Sequence, residues 1–426
     1  MAAKKQPVVS SEARKASEAA RSAILKTMKQ RPLGAEEKQW PHLPSGSFVV
    51  DNLIGGSIGR DGKPVCPGIP RRRITEIYGP ESSGKTTLAL SVVRETQKAG
   101  GSVLYLDYEH ALHIGYAKAI GVSFSADNFS LFAPDTLEDG FKMIYIAIIS
   151  GIDLIVVDSV AAMVPSTEIA KSFGDAARVG EVSRLMSLNL PKFAGWLANY
   201  PKVGGGVTGN PDPSKSGSSL LLLNQERAVI QTGGGGGGVP EANTTGGKAL
   251  KFYTSVRLRL TKIKSEIIQR KDPVSKRDVR QPYGSITQVK VVKDKLDGRQ
   301  GHTGQIFIRY GFGVDNFYSV IESAIAHSIM RREGAYYSYG GQRVQGRDRF
   351  RQYLLENPKV CTELEGKLRH AIVASVQPVA DAEIDGDTSL VLELQEEFGG
   401  GEGIGVEVGD SPIEDLGVEE TEDSEA

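Results

Sequence analysis

The chain has 426 residues, 39% of them hydrophobic, which supports a real core and is too long for one small domain. It has no run of 18 apolar residues, so no membrane-spanning helix is expected, and "MAAKKQPVVSSEARK" at its start has no apolar signal core. Its net charge of −1 hides an asymmetry. Residues 381–426 hold 17 Asp and Glu and no Lys or Arg, leaving 51 basic residues against 35 acidic ones in residues 1–380. A basic body with an acidic tail suggests a polyanionic partner and a tail that competes with it. Cys66 and Cys361 stand far apart and outside metal-ligand spacing, the pattern of a reduced cytosolic protein without structural zinc.

The first element is a helix over residues 10–30, where Ala13, Ala16, Ala20, Ile24 and Met28 form an apolar stripe. Pro32 and Gly34 end it. Such a helix, followed by the linker "WPHLPSGS", must dock on its own core or on a neighbouring subunit. From Val49 to Tyr310 apolar strands alternate with helices. The strands are "RITEIYG", "SVLYLDYE", "DLIVVDS" and "SLLLLNQ". The helices between them are "GKTTLALSVVRETQKAG", "DTLEDGFKMIYIAIISG" and "RLMSLNLPKFAGWLANY". This alternation predicts an α/β fold with a mostly parallel sheet covered on both faces. "SVRLRLTKI", "SITQVKVVKDK" and "GQIFIRYG" then alternate with period two, as antiparallel strands extending that sheet would. After Phe312 a smaller unit is expected, with helices in "FYSVIESAIAHSIM", "RDRFRQYLLEN" and "PKVCTELEGKLRHAIVASV" and a hairpin in "GAYYSYGGQRV". The tail after Pro378 has the composition of a disordered segment.

"GPESSGKTT" follows the first core strand and opens a helix, which is the setting a phosphate-binding loop requires. Gly79, Pro80, Glu81, Ser82, Ser83, Gly84, Lys85, Thr86 and Thr87 are its residues. Backbone N–H groups and the helix dipole would wrap phosphates. Lys85 would reach the terminal phosphates and Thr86 would ligate Mg²⁺. Asp158 ends the strand "LIVVD" and is the second candidate for the magnesium shell. Asp107 and Glu109 in "LYLDYEHAL" compete for the role of orienting water. Glu109 is preferred because it lies further beyond the strand end.

With "GPESSGKTTLAL", "LDYEHAL", "VVDSVAAMVP", "LLNQERAVI" and "TTGGKALKFYTSVRLRL" in this order, the chain resembles the RecA family of DNA recombinases over residues 44–378. The resemblance implies a RecA-type P-loop ATPase core at 45–312, preceded by an N-terminal helix and linker at 1–44. A small α+β C-terminal domain at 313–380 and a disordered acidic tail at 381–426 would follow. It implies ATP and Mg²⁺ as cofactors and helical homo-oligomeric filaments on single-stranded DNA that pair with a homologous duplex. A single-strand-binding protein, loading mediators and a cytoplasmic location, in a bacterium or a phage's host, go with that reading.

Carried over residue by residue, Glu109 matches the catalytic glutamate and Tyr116 the tyrosine that stacks on adenine. Gln225 matches the glutamine that senses the γ-phosphate. Lys293 and Lys295 in "KVVKDK" match two lysines that reach into the neighbour's ATP site; two apart on a strand, they share a face that Lys290 does not. One DNA-binding loop would use Arg178 and Arg184. The other would use Arg227 with Gly233, Gly234, Gly235, Gly236, Gly237 and Gly238. The chain departs from the family at His113, where an acidic residue is common, and in extra length at 59–68 and 202–218. The alternatives are a ring-forming motor, against which "KVVKDK" and "TTGGKALKFY" argue, and an ATP-binding scaffold without strand exchange.

Overall fold

The computed structural model describes residues 40–56, 64–170, 180–199, 217–227, 243–271, 278–297 and 299–376. The helix expected at 10–30, Arg178, the six glycines, residues 59–63 and 202–216 of the two extra segments, and the tail at 381–426 lie outside them.

In chain order the elements begin with β1 (His42–Leu43), α1 (Phe48–Gly55), β2 (Ile69–Pro70), β3 (Ile74–Gly79), α2 (Lys85–Lys98) and β4 (Val103–Asp107). Next come α3 (Ile114–Ile120), β5 (Phe129–Phe132), α4 (Leu137–Ile149), β6 (Leu154–Asp158), α5 (Ser166–Ile169) and α6 (Glu181–Asn199). Then follow β7 (Ser219–Arg227), β8 (Asn243–Thr244), α7 (Gly247–Tyr253), β9 (Val256–Lys271), β10 (Asp278–Asp294), β11 (Thr303–Arg309) and β12 (Gly313–Val314). The last part holds α8 (Asn316–Ala326), β13 (Arg331–Glu333), β14 (Tyr336–Tyr339), β15 (Gln342–Gln345), α9 (Arg347–Glu356) and α10 (Pro358–Val376).

The main sheet has the order β12-β11-β10-β9-β3-β7-β6-β4-β5, with β8 paired to β7. Pairing is parallel from β9 through β3, β7, β6 and β4 to β5. It is antiparallel from β9 through β10 and β11 to β12. Strands apolar at every position follow from this arrangement. In β6, Leu154 and Val156 enter the core cluster that holds Leu88, Leu90 and Val93 of α2. Ile155 and Val157 enter the opposite cluster, with Phe141 of α4 and Phe193 of α6. Caps set the helix starts: Thr136 accepts from Asp139 N (3.0 Å) to open α4, and Ser47 caps α1.

A third cluster gathers Val320, Ile321, Tyr337, Phe350, Leu354, Leu364 and Leu368, and takes in Phe48 of α1. Two departures from expectation lie here. The hairpin is a three-stranded meander, because β13 is exposed throughout and has no apolar pattern to read. Helix α8 stops at Ala326 rather than running to Met330, since Ser328 turns into the left-handed region at φ 57°. Phe350 is fully buried. Its replacement by Ala is expected to cost about 3–5 kcal/mol within this cluster. Hydrogen exchange should accelerate in α9 and α10 and stay slow in β4 and β6; equal acceleration in both would show that the third cluster is not a separate unit.

Candidate functional site

Because β3, β7, β6 and β4 are parallel, their carboxyl ends emerge along one edge, where ligands bind in open α/β sheets. The register fixes what meets there. Gly79 lies opposite Gln225, and Asp107 lies opposite Asp158.

The chain leaves β3 at Gly79 and enters α2 through Gly84, at φ 94°. Only glycine adopts that left-handed backbone without strain, and an added Cβ would also push aside Ile308 Cδ1, 2.1 Å away. The loop carbonyl of Ser83 accepts from Thr287 Oγ1 of β10 at 3.2 Å. Lys85 Nζ donates to the carbonyls of Gly79 (3.1 Å) and Pro80 (2.8 Å). Burial lowers its pKa, against the pull of Asp158 and Glu109. Thr86 Oγ1 donates to Asp158 Oδ2 at 2.9 Å, and Tyr105 OH donates to the same oxygen at 2.7 Å. Burial raises the Asp158 pKa, and those two hydrogen bonds oppose the rise.

Two carboxylates were candidates for orienting water, and their surroundings differ. Asp107 accepts from Leu112 N (3.0 Å) and Ala111 N (3.4 Å), so it pins the turn after β4. Glu109 Oε1 accepts from Ser159 Oγ and from Gln225 Nε2, the latter at 2.9 Å. Tyr116 OH lies 2.8 Å from Thr87 Oγ1. His113 caps α3, its Nδ1 accepting from Tyr116 N at 2.9 Å, so its structural task is to set the tyrosine's helix.

Of these groups, Lys85, Thr86, Glu109, Tyr116, Asp158 and Gln225 line a cavity of about 470 Å³. Its far wall comes from the antiparallel extension: Lys262, Ser285, Ile308 and Tyr310. Lys262 Nζ donates to Tyr310 OH at 3.3 Å. None of these four was singled out from sequence. The only available signal was the expectation that β9, β10 and β11 extend the sheet; which of their residues return to the phosphate loop depends on strand order.

The RecA N-terminal domain family matches residues 36–315, and the RecA C-terminal domain family matches residues 318–373. The chain belongs to the RecA family. Proteins named "Protein RecA" resemble it along most of their length. The one from Acidothermus cellulolyticus is 39% identical over 345 residues, covering 80% of this chain and 87% of that protein. The one from Gluconobacter oxydans is 40% identical over 353 residues, covering 80% and 90%. Membership makes the chain an ATP-dependent recombinase of recombination and repair and a DNA-dependent ATPase. Among the described residues, no helix is long and apolar enough to cross a membrane.

Lys293 and Lys295 do not line their own chain's cavity. Strand β10 ends at Asp294, and a register shift falls between Val291 and Lys293, so Lys295 is not a strand residue as expected. The two ammonium groups still converge. Lys293 Nζ donates to the carbonyls of Lys251 and Phe252, the latter at 3.0 Å. Lys295 Nζ donates to Phe252 O at 3.1 Å. Both therefore sit on the C-terminal carbonyls of α7, beside the exposed ring of Phe252. Arg184 stands exposed near the start of α6, 3.6 Å from Glu181. Arg227 ends β7, in register with Asn243 of β8.

Tyr310→Ala removes one aromatic wall of the cavity and leaves the phosphate loop intact. It is expected to weaken binding of a fluorescent ATP analogue by about tenfold. Unchanged affinity in titrations would remove Tyr310 from the nucleotide site.

Proposed function

We propose that this chain hydrolyses ATP in the cavity between its phosphate loop and Tyr310, and that this hydrolysis is completed by a neighbouring subunit in a helical filament on single-stranded DNA. That filament pairs its strand with a homologous duplex, with ATP and Mg²⁺ as cofactors and the cytoplasm as its setting. The observation that carries the reading is Glu109. Its carboxylate lies at the lip of the cavity and is joined to Gln225 on the strand that leads into the glycine-rich segment. A water-orienting base and a DNA-facing segment thus share one hydrogen bond.

The residues present fit a nucleotide with its cation. Ser83 Oγ is buried without a partner among the described residues. Lys85 rests on carbonyls of its own loop, from which it can turn to phosphate oxygens. Thr86 and Asp158 bring two oxygens within 2.9 Å, a donor pair suited to a hard cation. A magnesium ion held there would neutralise phosphate charge. Glu109 would hold and orient the attacking water, and Gln225 would register the γ-phosphate. Lys293 and Lys295 would serve the adjacent subunit's site, as arginine fingers do. Arg178, Arg184, Arg227 and the six glycines would contact DNA.

Glu109→Gln should keep ATP bound and hold filaments on single-stranded DNA, while DNA-stimulated hydrolysis falls by about 10²–10⁴-fold. Turnover at the parental rate would show that Glu109 does not orient the water.

A second expectation concerns pH. Burial, with the nearby charges of Lys295 and Arg257, lowers the Lys293 pKa to about 8 in the free subunit. Above that pH the free subunit's Lys293 is neutral. A neighbour's phosphates would favour its charged form and raise the pKa again. Between the two values, assembly must therefore take up protons and weaken as pH rises. Calorimetry at about pH 9, in two buffers of different ionisation enthalpy, should show proton uptake that is lost in Lys293→Met. Identical uptake in the variant would take Lys293 out of the interface.

A further inference from the structure

One face of the sheet carries a buried polar line that none of the roles above uses. Glu76 sits in the middle of β3, fully buried, where a strand covered on both faces would ordinarily carry an apolar residue. Its Oε2 accepts from Arg257 Nε of β9 at 2.5 Å, and both side chains are buried. Its Oε1 accepts from Asn224 Nδ2 of β7 at 3.0 Å. Asn224 is itself fully buried, and every polar atom of its side chain is engaged. Its Oδ1 accepts from Gln225 N at 2.9 Å, and its Nδ2 also donates to Thr245 O at 2.8 Å.

The ends of this line matter. Gln225 is the residue bonded to Glu109. Thr245 follows β8, whose pairing with β7 sets Arg227 opposite Asn243, the residues that flank the stretch 228–242 with its six glycines. At the other end, Arg257 lies opposite Lys293 in the β9–β10 ladder. Arg257 Nη2 is buried there without a partner among the described residues. Asn224 therefore holds the strand that enters the glycine segment and the turn that leaves it, and Glu76 ties both to the strand beside the lysine pair.

We propose that Asn224, anchored by the buried Glu76–Arg257 pair, is a positioning residue that couples the nucleotide state at Gln225 to the base of the DNA-contacting segment. This rests on the reading of Glu109 and Gln225 given above. The physical case is one of stiffness. A side chain whose donors and acceptor are all engaged cannot follow a shift of Gln225 without moving Thr245 as well. An apolar residue at 224 would fill the space and transmit nothing, because its packing has no directional bonds. Two bonds from one amide group to two segments make a clamp with few alternative arrangements.

The test uses the full chain and leaves Glu76 and Arg257 paired, so that no buried charge is stranded. Asn224→Ala and Asn224→Thr are compared with Gln225→Ala. Thr suits a strand but has no amide to bridge Glu76 and Thr245. Single-stranded DNA affinity is measured with a slowly hydrolysed ATP analogue and with ADP, beside the KM and kcat of DNA-stimulated hydrolysis. Both Asn224 variants should lower the ratio of the two DNA affinities by about tenfold or more, and lower kcat with KM for ATP within about threefold of the parent. A purely structural role predicts instead a lower melting temperature with the ratio preserved. A preserved ratio in either folded Asn224 variant, with the ratio collapsed in Gln225→Ala, overturns the positioning role alone. A preserved ratio in Gln225→Ala as well overturns the reading of Gln225 and the clamp with it.

Discussion

Parallel pairing of β3, β7, β6 and β4 is the constraint on which the site depends. It places Gly79, Gln225, Asp158 and Asp107 at one edge although they are up to 146 residues apart in the chain. A slip of one residue in any of these strands would send its inward side chains to the opposite layer. Both layers are close-packed with Leu, Ile and Val, so such a slip would exchange side chains of different size and shape between them. The hydrophobic pattern thus sets the positions of polar residues at the strand ends to within one residue. The chemistry inherits its precision from the core.

Against that apolar background, Glu76 and Arg257 are costly. A buried ion pair seldom adds net stability over an apolar pair of the same volume, yet removing one partner costs about 3–5 kcal/mol. Arg259 and Glu226 form a second link between β9 and β7 nearer the edge, with bonds of 2.7 and 3.0 Å, but Arg259 there is partly exposed. All four residues, with Asn224, lie on the layer that also holds α7. The C-terminal carbonyls of α7 receive Lys293 and Lys295. Polar groups of limited reach therefore link β9 to β7 across β3. Directional bonds at these places specify one relative position of three strands, where apolar contacts would tolerate several.

Much of this was legible in the sequence, for identifiable reasons. Strands such as "LIVVD" are apolar at every position because both faces are covered, and "GPESSGKTT" sits between a strand and a helix as its chemistry requires. The preference for Glu109 over Asp107 followed from position beyond the strand end; what the structure adds is that the Asp107 oxygens accept from the backbone of the turn after β4. Other features had no local signal. Lys262, Ser285 and Tyr310 join the cavity only because β9, β10 and β11 lie on the β3 side of the sheet, and strand order is not written in any one strand. Glu76 reads as an ordinary charged residue in "RITEIYG" until Arg257 and Asn224 are seen beside it. β13 carries only Arg and Glu, so no periodicity announced it.

If Lys293 and Lys295 serve a neighbour's site as proposed, their placement would explain how a site can be formed within one chain and still wait for assembly. Lys85 lies within reach of the phosphate loop of its own chain, whereas Lys293 and Lys295 are held on the carbonyls of α7, outside that cavity. Burial first, then the charges of Lys295 and Arg257, lower the Lys293 pKa, so its charged form is not fully satisfied where it rests on the C-terminal carbonyls of α7. The pair is thus stored in a position that is tolerable but not optimal. An anion presented by a neighbour would be a better partner than a carbonyl, because it adds attraction between opposite full charges to the hydrogen bond. The same step that satisfies the lysines would complete the neighbour's site. Hydrolysis would then follow from assembly without a separate switch, and the exposed Phe252 beside the pair would offer an apolar contact at the same junction.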